Sequence, residues 1–165
     1  IGFISCNIIR LFRNNKGIKF ANPVHESVDT SIKDKSKIQT TAVPIHHYQF
    51  QKGEYIHKAK QLHYLKIYED KIDEFPNKAK VYRDMAIINY NFKEDYPKAI
   101  QYYKKSMLLN PNNLKTYLGL AIAYVKNKQL EEALKTIREA EKLQPQNQDV
   151  LKLKQYILRV KQLSD

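Results

Sequence analysis

Histidine, cysteine and adjacent carboxylates are the residue types in this sequence that could carry out chemistry. No two of the five histidines are four residues apart, the spacing of a metal-binding helix, and neither HExxH nor CxxC occurs. The lone Cys6 is better interpreted as a small apolar residue than as a nucleophile. The sequence therefore predicts no metal site, no cofactor site and no enzyme. The histidines are His25, His46, His47, His57 and His63.

Two pairs of neighbouring acids, Glu94–Asp95 and Glu131–Glu132, could be read as a general acid and base. Both pairs fall at predicted turns or first helical turns, where the helix dipole favours negative charge. No glycine-rich phosphate loop accompanies them among the four glycines of the chain. A structural role therefore explains the carboxylates.

One pattern occurs twice in residues 79–147. The first copy spans 79–113 and the second 114–147, and we place the one extra residue of the first copy in the turn at residues 93–95. The matched pairs have the same or similar residue types at each place. They are Tyr82/Tyr117, Met85/Leu120, Ala86/Ala121, Ala99/Ala133, Tyr103/Ile137, Ser106/Ala140 and Pro111/Pro145.

Each copy contains two stretches with apolar residues at helical spacing, separated by a short polar turn. Alanines at matched places allow two helix backbones to approach closely, and Pro97 suits a first helical turn. Pro111 and Pro145 end the second helix of each copy, because the residue before proline disfavours the helical conformation. The sequence thus predicts an all-α fold of antiparallel helix hairpins.

This period, with helix–turn–helix content and a proline near its end, resembles the tetratricopeptide repeat. The resemblance implies a short α-solenoid, in which each hairpin buries its apolar face only by stacking on its neighbours. Residues 148–163 would form a capping helix. Before the repeats, residues 54–75 are predicted to form one long helix, with a degenerate repeat as the alternative. The helical domain as a whole is placed at residues 45–165.

The resemblance also implies a concave groove lined by the first helix of each hairpin. Some members of the family hold a terminal carboxylate there with lysine, arginine and asparagine. This chain has isoleucine where such a clamp needs asparagine, so a partner helix or an extended apolar and acidic segment suits it better. The alternative is that the chain's own N-terminal segment fills the groove. The predicted groove residues are Lys80, Arg83, Ile87, Tyr90, Lys115, Leu118, Ile122 and Lys126.

The last helix, predicted to be capped by Asn147, has two apolar sides. Residues Val150, Leu153, Ile157 and Val160 form a stripe that would cover the last hairpin. Leu151 and Leu158 lie on another side. Because a terminal repeat helix is expected to keep its outer face polar, we predict that this second side faces a partner.

Residues 1–44 are predicted to form an extended arm. The first 20 residues are basic and contain no acid, as mitochondrial targeting sequences do, and the following stretch is polar and rich in Ser and Thr. Such an arm could fold back on its own repeats, but we expect other subunits to hold it, with anchors at Phe3, Ile8, Leu11 and Phe12. The predicted location is mitochondrial, with the cytoplasm as the alternative.

The formal net charge is +12, spread along the chain, and the sequence contains no apolar stretch of about 18 residues that could span a membrane. We therefore predict a non-catalytic scaffold for protein interactions, an accessory subunit of a large mitochondrial assembly such as a respiratory-chain complex or the mitochondrial ribosome. Its partners would be other protein subunits. A free peptide-binding adaptor and a factor that contacts RNA through its basic charge are the alternatives.

Overall fold

Side-chain caps mark the first residues of three of the helices. In the computed structural model, which describes residues 53–75 and 77–163, the Asn77 side chain accepts a hydrogen bond from the Lys80 amide. Asp95 caps the next helix through the Lys98 amide, with Pro97 in the first turn, and Asn147 caps the last helix as predicted. The described helices are α1 (Gly53–Asp70), α2 (Lys78–Ile88), α3 (Tyr96–Leu109), α4 (Leu114–Lys126), α5 (Leu130–Leu143) and α6 (Gln148–Gln162).

The helices pack as two antiparallel hairpins, α2 with α3 and α4 with α5, which stack through contacts between α3 and α4. The described residues contain no strand, so the predicted all-α solenoid is confirmed for this part of the chain. The alanines expected to permit close helix approach are completely buried, and they mark the crossings inside each hairpin. They are Ala86 and Ala99 in the first hairpin and Ala121 and Ala133 in the second.

A small polar cluster joins the two hairpins. The Ser106 hydroxyl donates to the Ala79 carbonyl oxygen at 2.7 Å and lies 3.4 Å from the hydroxyl of Thr116. Ser106 and Thr116 are almost fully buried, so each hydroxyl needs a partner inside the protein. The cluster connects α3 to the start of α2 and to α4, and it fixes how the second hairpin sits on the first.

The extra residue of the first repeat lies slightly earlier than predicted, in a π-helical turn at Asn89–Lys93. Both repeats leave their first helix through a residue in the left-handed conformation, Glu94 (φ 55°) and Lys128 (φ 60°). In the second repeat the Gln129 amide then donates to the carbonyl of Tyr124, five residues back. In the first repeat Asp95 reaches six residues back to Asn89. The π turn thus absorbs one residue while the two exits stay equivalent.

The prediction of one long helix over residues 54–75 is wrong about where the helix ends and how its last residues pack. Helix α1 ends at Asp70, and a 3₁₀ turn follows at Ile72–Glu74. In one continuous helix Phe75 would lie about 10 Å along the axis from Tyr68. The break instead brings the two buried rings to 5.2 Å between centroids. The buried residues of α1, Leu65 and Tyr68, lie in its second half, and Tyr55 near its start is 84 % exposed. The first half touches the repeats through the His57 ring, whose centroid lies 5.3 Å from that of the Phe92 ring.

Helix α6 packs on α5 as the predicted cap. Val150 and Ile157 of the predicted stripe are completely buried, and Leu153 and Val160 are partly buried. Lys154 pairs with Glu141 of α5 at 2.6 Å. The predicted arm, residues 1–44, and the predicted helical residues 45–52 lie outside the described residues.

Candidate functional site

Three helices, α2, α4 and α6, are the first helices of successive units, and they line one common surface. An open depression of about 620 Å³ is bounded by Arg83 from α2, Lys115 and Leu118 from α4, and Asp149 from α6. The pKa of Tyr90 also shows that the turn after α2 lies near α4. Burial raises it, and the Lys126 ammonium from α4 opposes that rise. We refer to this surface as the groove.

An apolar row runs along the groove at equivalent places of the three helices. Ile87, Ile122 and Tyr156 are separated by 35 and 34 residues, which are the lengths of the repeats. Their exposed fractions are 37 %, 37 % and 54 %, whereas their neighbours Ala86, Ala121 and Ile157 are completely buried. The row is therefore a surface feature that the repeat geometry produces, and it is not part of the core.

Basic side chains flank the row. In the first repeat, Lys80 forms an ion pair with Asp84 at 2.7 Å, and an Arg83 nitrogen lies 3.9 Å from the other oxygen of the same carboxylate. Lys115 and Lys126 of the second repeat are exposed and form no ion pair with any residue of the described part. The groove therefore keeps unpaired positive charge on α4, whereas its two α2 cations share the single carboxylate of Asp84.

The end of the groove formed by the loops between units is rich in amides. Asparagine and glutamine side chains line the depression together with Arg83 and Lys115. Amide side chains can both donate to and accept from a peptide backbone, which suits the binding of an extended chain. The lining amides are Asn110, Asn112, Asn113, Gln144 and Asn147.

The family assignment rests on both sequence and structure comparison. The tetratricopeptide repeat profile matches residues 92–156, which include the second hairpin and most of α6. The described helices have the fold of a tetratricopeptide repeat domain. A comparison with curated protein sequences gives no match.

Solved tetratricopeptide repeat structures share the fold of this domain. The first repeat domain of Spaghetti (RPAP3), bound to the HSP90 peptide SRMEEVD, superposes with a TM-score of 0.57 at 20 % identity, over 68 % of this chain and 86 % of that one. The domain of Arabidopsis OM64 gives 0.55 at 25 % identity, over 66 % and 90 %. The TPR2B domain of yeast Sti1, in a complex with an Hsp70 peptide, gives 0.55 at 22 % identity, over 64 % and 89 %.

The predicted groove residues lie in three places on the domain. Arg83, Lys115 and Leu118 line the amide-rich depression, and Lys80 and Ile87 line a second one between α1 and α2. Tyr90 and Lys126 lie near each other at the other end. Whether these residues bind a partner stays a prediction.

Sequence reasoning missed Tyr156, which contributes the third member of the apolar row from α6. Its signal was available, because it follows Ile122 by one repeat length. The amide cluster was also missed, since its members come from separate inter-helix loops. The predicted arm anchors Phe3, Ile8, Leu11 and Phe12 lie outside the described residues.

Within the described residues, no group of histidine, cysteine or carboxylate side chains is arranged to hold a metal ion. None of the described helices is long and apolar enough to cross a membrane. The electrostatic perturbations concern mainly buried tyrosines. Burial raises the pKa of Tyr103 to about 12, and the nearby Tyr90 adds to the rise. These shifts reflect core packing, because Tyr103 is only 5 % exposed.

Proposed function

We propose that the groove binds a segment of another protein and that the chain acts as a non-catalytic interaction module. The observation that supports this best is the apolar row of Ile87, Ile122 and Tyr156, because all three hydrophobic side chains are exposed to solvent. Unpaired Lys115 and Lys126 beside the row favour acidic groups on the bound segment. A repeat stack offers this kind of extended concave surface for recognition.

The bound segment is expected to be held along its length and not only by its terminal carboxylate. The Spaghetti (RPAP3) and Sti1 domains are in complexes with chaperone peptides. In this chain Ile87 and Ile122 stand where a carboxylate clamp needs asparagine, and an isoleucine side chain cannot donate a hydrogen bond to a carboxylate. Apolar side chains of the segment would lie on the row, and its acidic side chains would meet Lys115 and Lys126.

The test is a comparison of native complexes isolated with the wild-type chain and with the Ile87→Glu, Ile122→Glu double variant. Both residues are over one third exposed, so the variant should fold, which a circular dichroism melt would verify. We expect at least one stoichiometric partner to fall by about tenfold or more in quantitative mass spectrometry. Leu108→Glu with Leu109→Glu is the matched control, because these leucines on α3 are 80 % and 55 % exposed away from the groove. An unchanged set of partners in the groove variant would refute the proposal.

A narrower form of this function is permanent incorporation into a mitochondrial assembly, with residues 1–44 lying on other subunits. Its support is the acid-free basic start of the chain, which is typical of mitochondrial proteins. The same isolation from purified mitochondria tests it, since a built-in subunit stays with its complex at high salt. RNA contact through the basic charge would instead give a complex that dissociates steeply as salt rises.

A further inference from the structure

Helix α6 takes the place of the first helix of a third hairpin. It begins 34 residues after α4, and an asparagine precedes each of the two helices. The buried residues repeat at the same interval, because Thr116 and Ala123 of α4 correspond to Val150 and Ile157, and all four are completely buried. The register of the stack therefore continues into α6.

The side of α6 that would meet a second helix is uncovered. In α4 this side contains Tyr117 and Tyr124, which are 8 % and 6 % exposed. Glu139 of α5 adds to the effect of burial in raising the pKa of Tyr117, which places this tyrosine next to α5. The residue 34 positions after Tyr124 is Leu158, and it is 42 % exposed. No helix of the described part follows α6 to cover it.

The charges on this side of α6 that have no ion-pair partner in the described residues are positive. Lys154 and Lys161 of α6 are ion-paired with Glu141 and Glu131 of α5. By contrast, Lys152 and Arg159 follow Leu151 and Leu158 in sequence and form no ion pair with the described residues. Leu151, the counterpart of Tyr117, is partly buried, so Leu158 is the exposed one of the two predicted partner-facing leucines. Residues 150–163 include no acid. We call Leu151, Lys152, Gln155, Leu158 and Arg159 the open face of α6.

We propose that the open face of α6 is a docking site for an acidic amphipathic helix of a partner protein, in the place that α5 occupies on α4. The exposed leucine supplies the apolar contact, and the unpaired cations select carboxylates. A second copy of this chain would bring the same cations against Lys152 and Arg159, so like charges oppose self-association. Gln155 stands where α4 has Ala121, so the docked helix lies farther away and binds more weakly than α5.

The probe is a labelled peptide with the sequence of residues 130–143, the α5 helix, in which the exposed cations are removed. A peptide lacking the carboxylates is the matched control. The acidic probe contains Lys135→Gln, Arg138→Gln and Lys142→Gln, and the control contains Glu131→Gln, Glu132→Gln, Glu139→Gln and Glu141→Gln. Fluorescence anisotropy with the full chain should show saturable binding of the acidic probe and binding of the control weaker by about tenfold or more.

Two variants locate the binding on the protein. Leu158→Glu, and separately Lys152→Glu with Arg159→Glu, should each weaken binding of the acidic probe by about tenfold. All three side chains are exposed, so the fold should survive, and the charge-reversal variant leaves every apolar contact intact. Leu109→Glu on α3 should leave the affinity unchanged.

Three results would overturn the proposal. The first is the absence of saturable binding up to about 1 mM probe, because a dissociation constant of about 1 mM corresponds to a binding free energy of only about 4 kcal/mol. The second is binding that the α6 variants leave intact and Ile122→Glu removes, which would place the probe in the groove. The third is a wild-type chain that sediments as a dimer and becomes monomeric with Leu158→Glu, which would make a second copy the occupant.

Discussion

Gly119 allows α4 to lie against the ring of Tyr103, and replacing it by alanine should reveal the cost of filling that contact. A β-carbon at position 119 would lie 2.5 Å from Cζ of Tyr103 and 2.6 Å from its hydroxyl oxygen. The ring is 5 % exposed, so surrounding side chains resist its displacement. Overpacking of this kind typically costs about 1–3 kcal/mol.

Helix propensity acts in the opposite direction. Alanine in a helix interior is favoured over glycine by about 1 kcal/mol. Because the contact involves two ring carbons and the hydroxyl of one enclosed residue, we take the upper half of the overpacking range. Gly119→Ala should then lower the free energy of unfolding by about 1–2 kcal/mol. For a domain of this size, a loss of that amount lowers the melting temperature by several degrees, about 4–8 °C for each kcal/mol.

Urea denaturation of a double-mutant cycle measures the clash separately from propensity. Tyr103→Leu removes the ring atoms that the new β-carbon would meet, at its own cost in cavity formation. In that background Gly119→Ala should stabilise the chain by about 1 kcal/mol, because only the helix propensity remains. If alanine destabilises equally in both backgrounds, or stabilises both, the contact between Tyr103 and Gly119 does not determine the packing of α4 on α3.

Three further predictions follow from buried residues. Ala133→Trp should unfold the second hairpin, because Ala133 is completely buried and placing a tryptophan side chain there costs about 1–3 kcal/mol or more. An unchanged circular dichroism melt would mean that α4 and α5 do not cross at this residue. Asn89→Leu should stabilise the chain by about 1 kcal/mol in urea denaturation, because Asn89 Oδ1 is buried without a partner. The substitution also removes the 2.8 Å hydrogen bond that Asn89 Nδ2 donates to the Met85 carbonyl oxygen, but that oxygen keeps the backbone amide of residue 89 as a donor. Exposed Asn91→Leu is the control, and a destabilised Asn89→Leu would indicate that the side-chain amide is needed. Burial raises the pKa of Tyr103 to about 12, against 10.0 in the unfolded chain, so the unfolded chain loses this proton first as the pH rises. The free energy of unfolding should therefore be unaffected below pH 10 and lower by about 1.4 kcal/mol at pH 11. Tyr103→Phe should remove that part of the alkaline loss, and equal losses in the two proteins would contradict the assignment.

Periodic residue types were sufficient to predict the hairpins. The alanines at the crossings, the asparagine cap of α6 and the proline-terminated second helices all follow from local sequence, and the structure places them as expected. These features depend on helical spacing and on backbone preferences that act within a few residues. The repeat itself supplied the tertiary arrangement, because matched residues in two copies need the same neighbours.

Features that depend on contacts between distant residues were not predicted. The end of α1 at Asp70 results from the packing of Phe75 on Tyr68, and apolar periodicity alone continues past that point. Likewise, a glycine inside a helical pattern indicates a close approach without saying that Tyr103 makes it. The third side chain of the apolar row was overlooked because α6 was treated as a cap and not as a further first helix.

Each helix of this domain packs mainly on the helices next to it in sequence, and the strongest contacts run from α2 to α6 in order. Such sequence-local contacts favour rapid folding and allow the structure to open stepwise from its ends. Amide hydrogens of α1 and α6 should therefore exchange sooner than those of α3 and α4. Under a pulling force the chain should lengthen in steps of single helices or hairpins. A partner that bound both α4 and α6 would then slow the detachment of α6 from the stack. The domain would therefore withstand a larger pulling force at its α6 end.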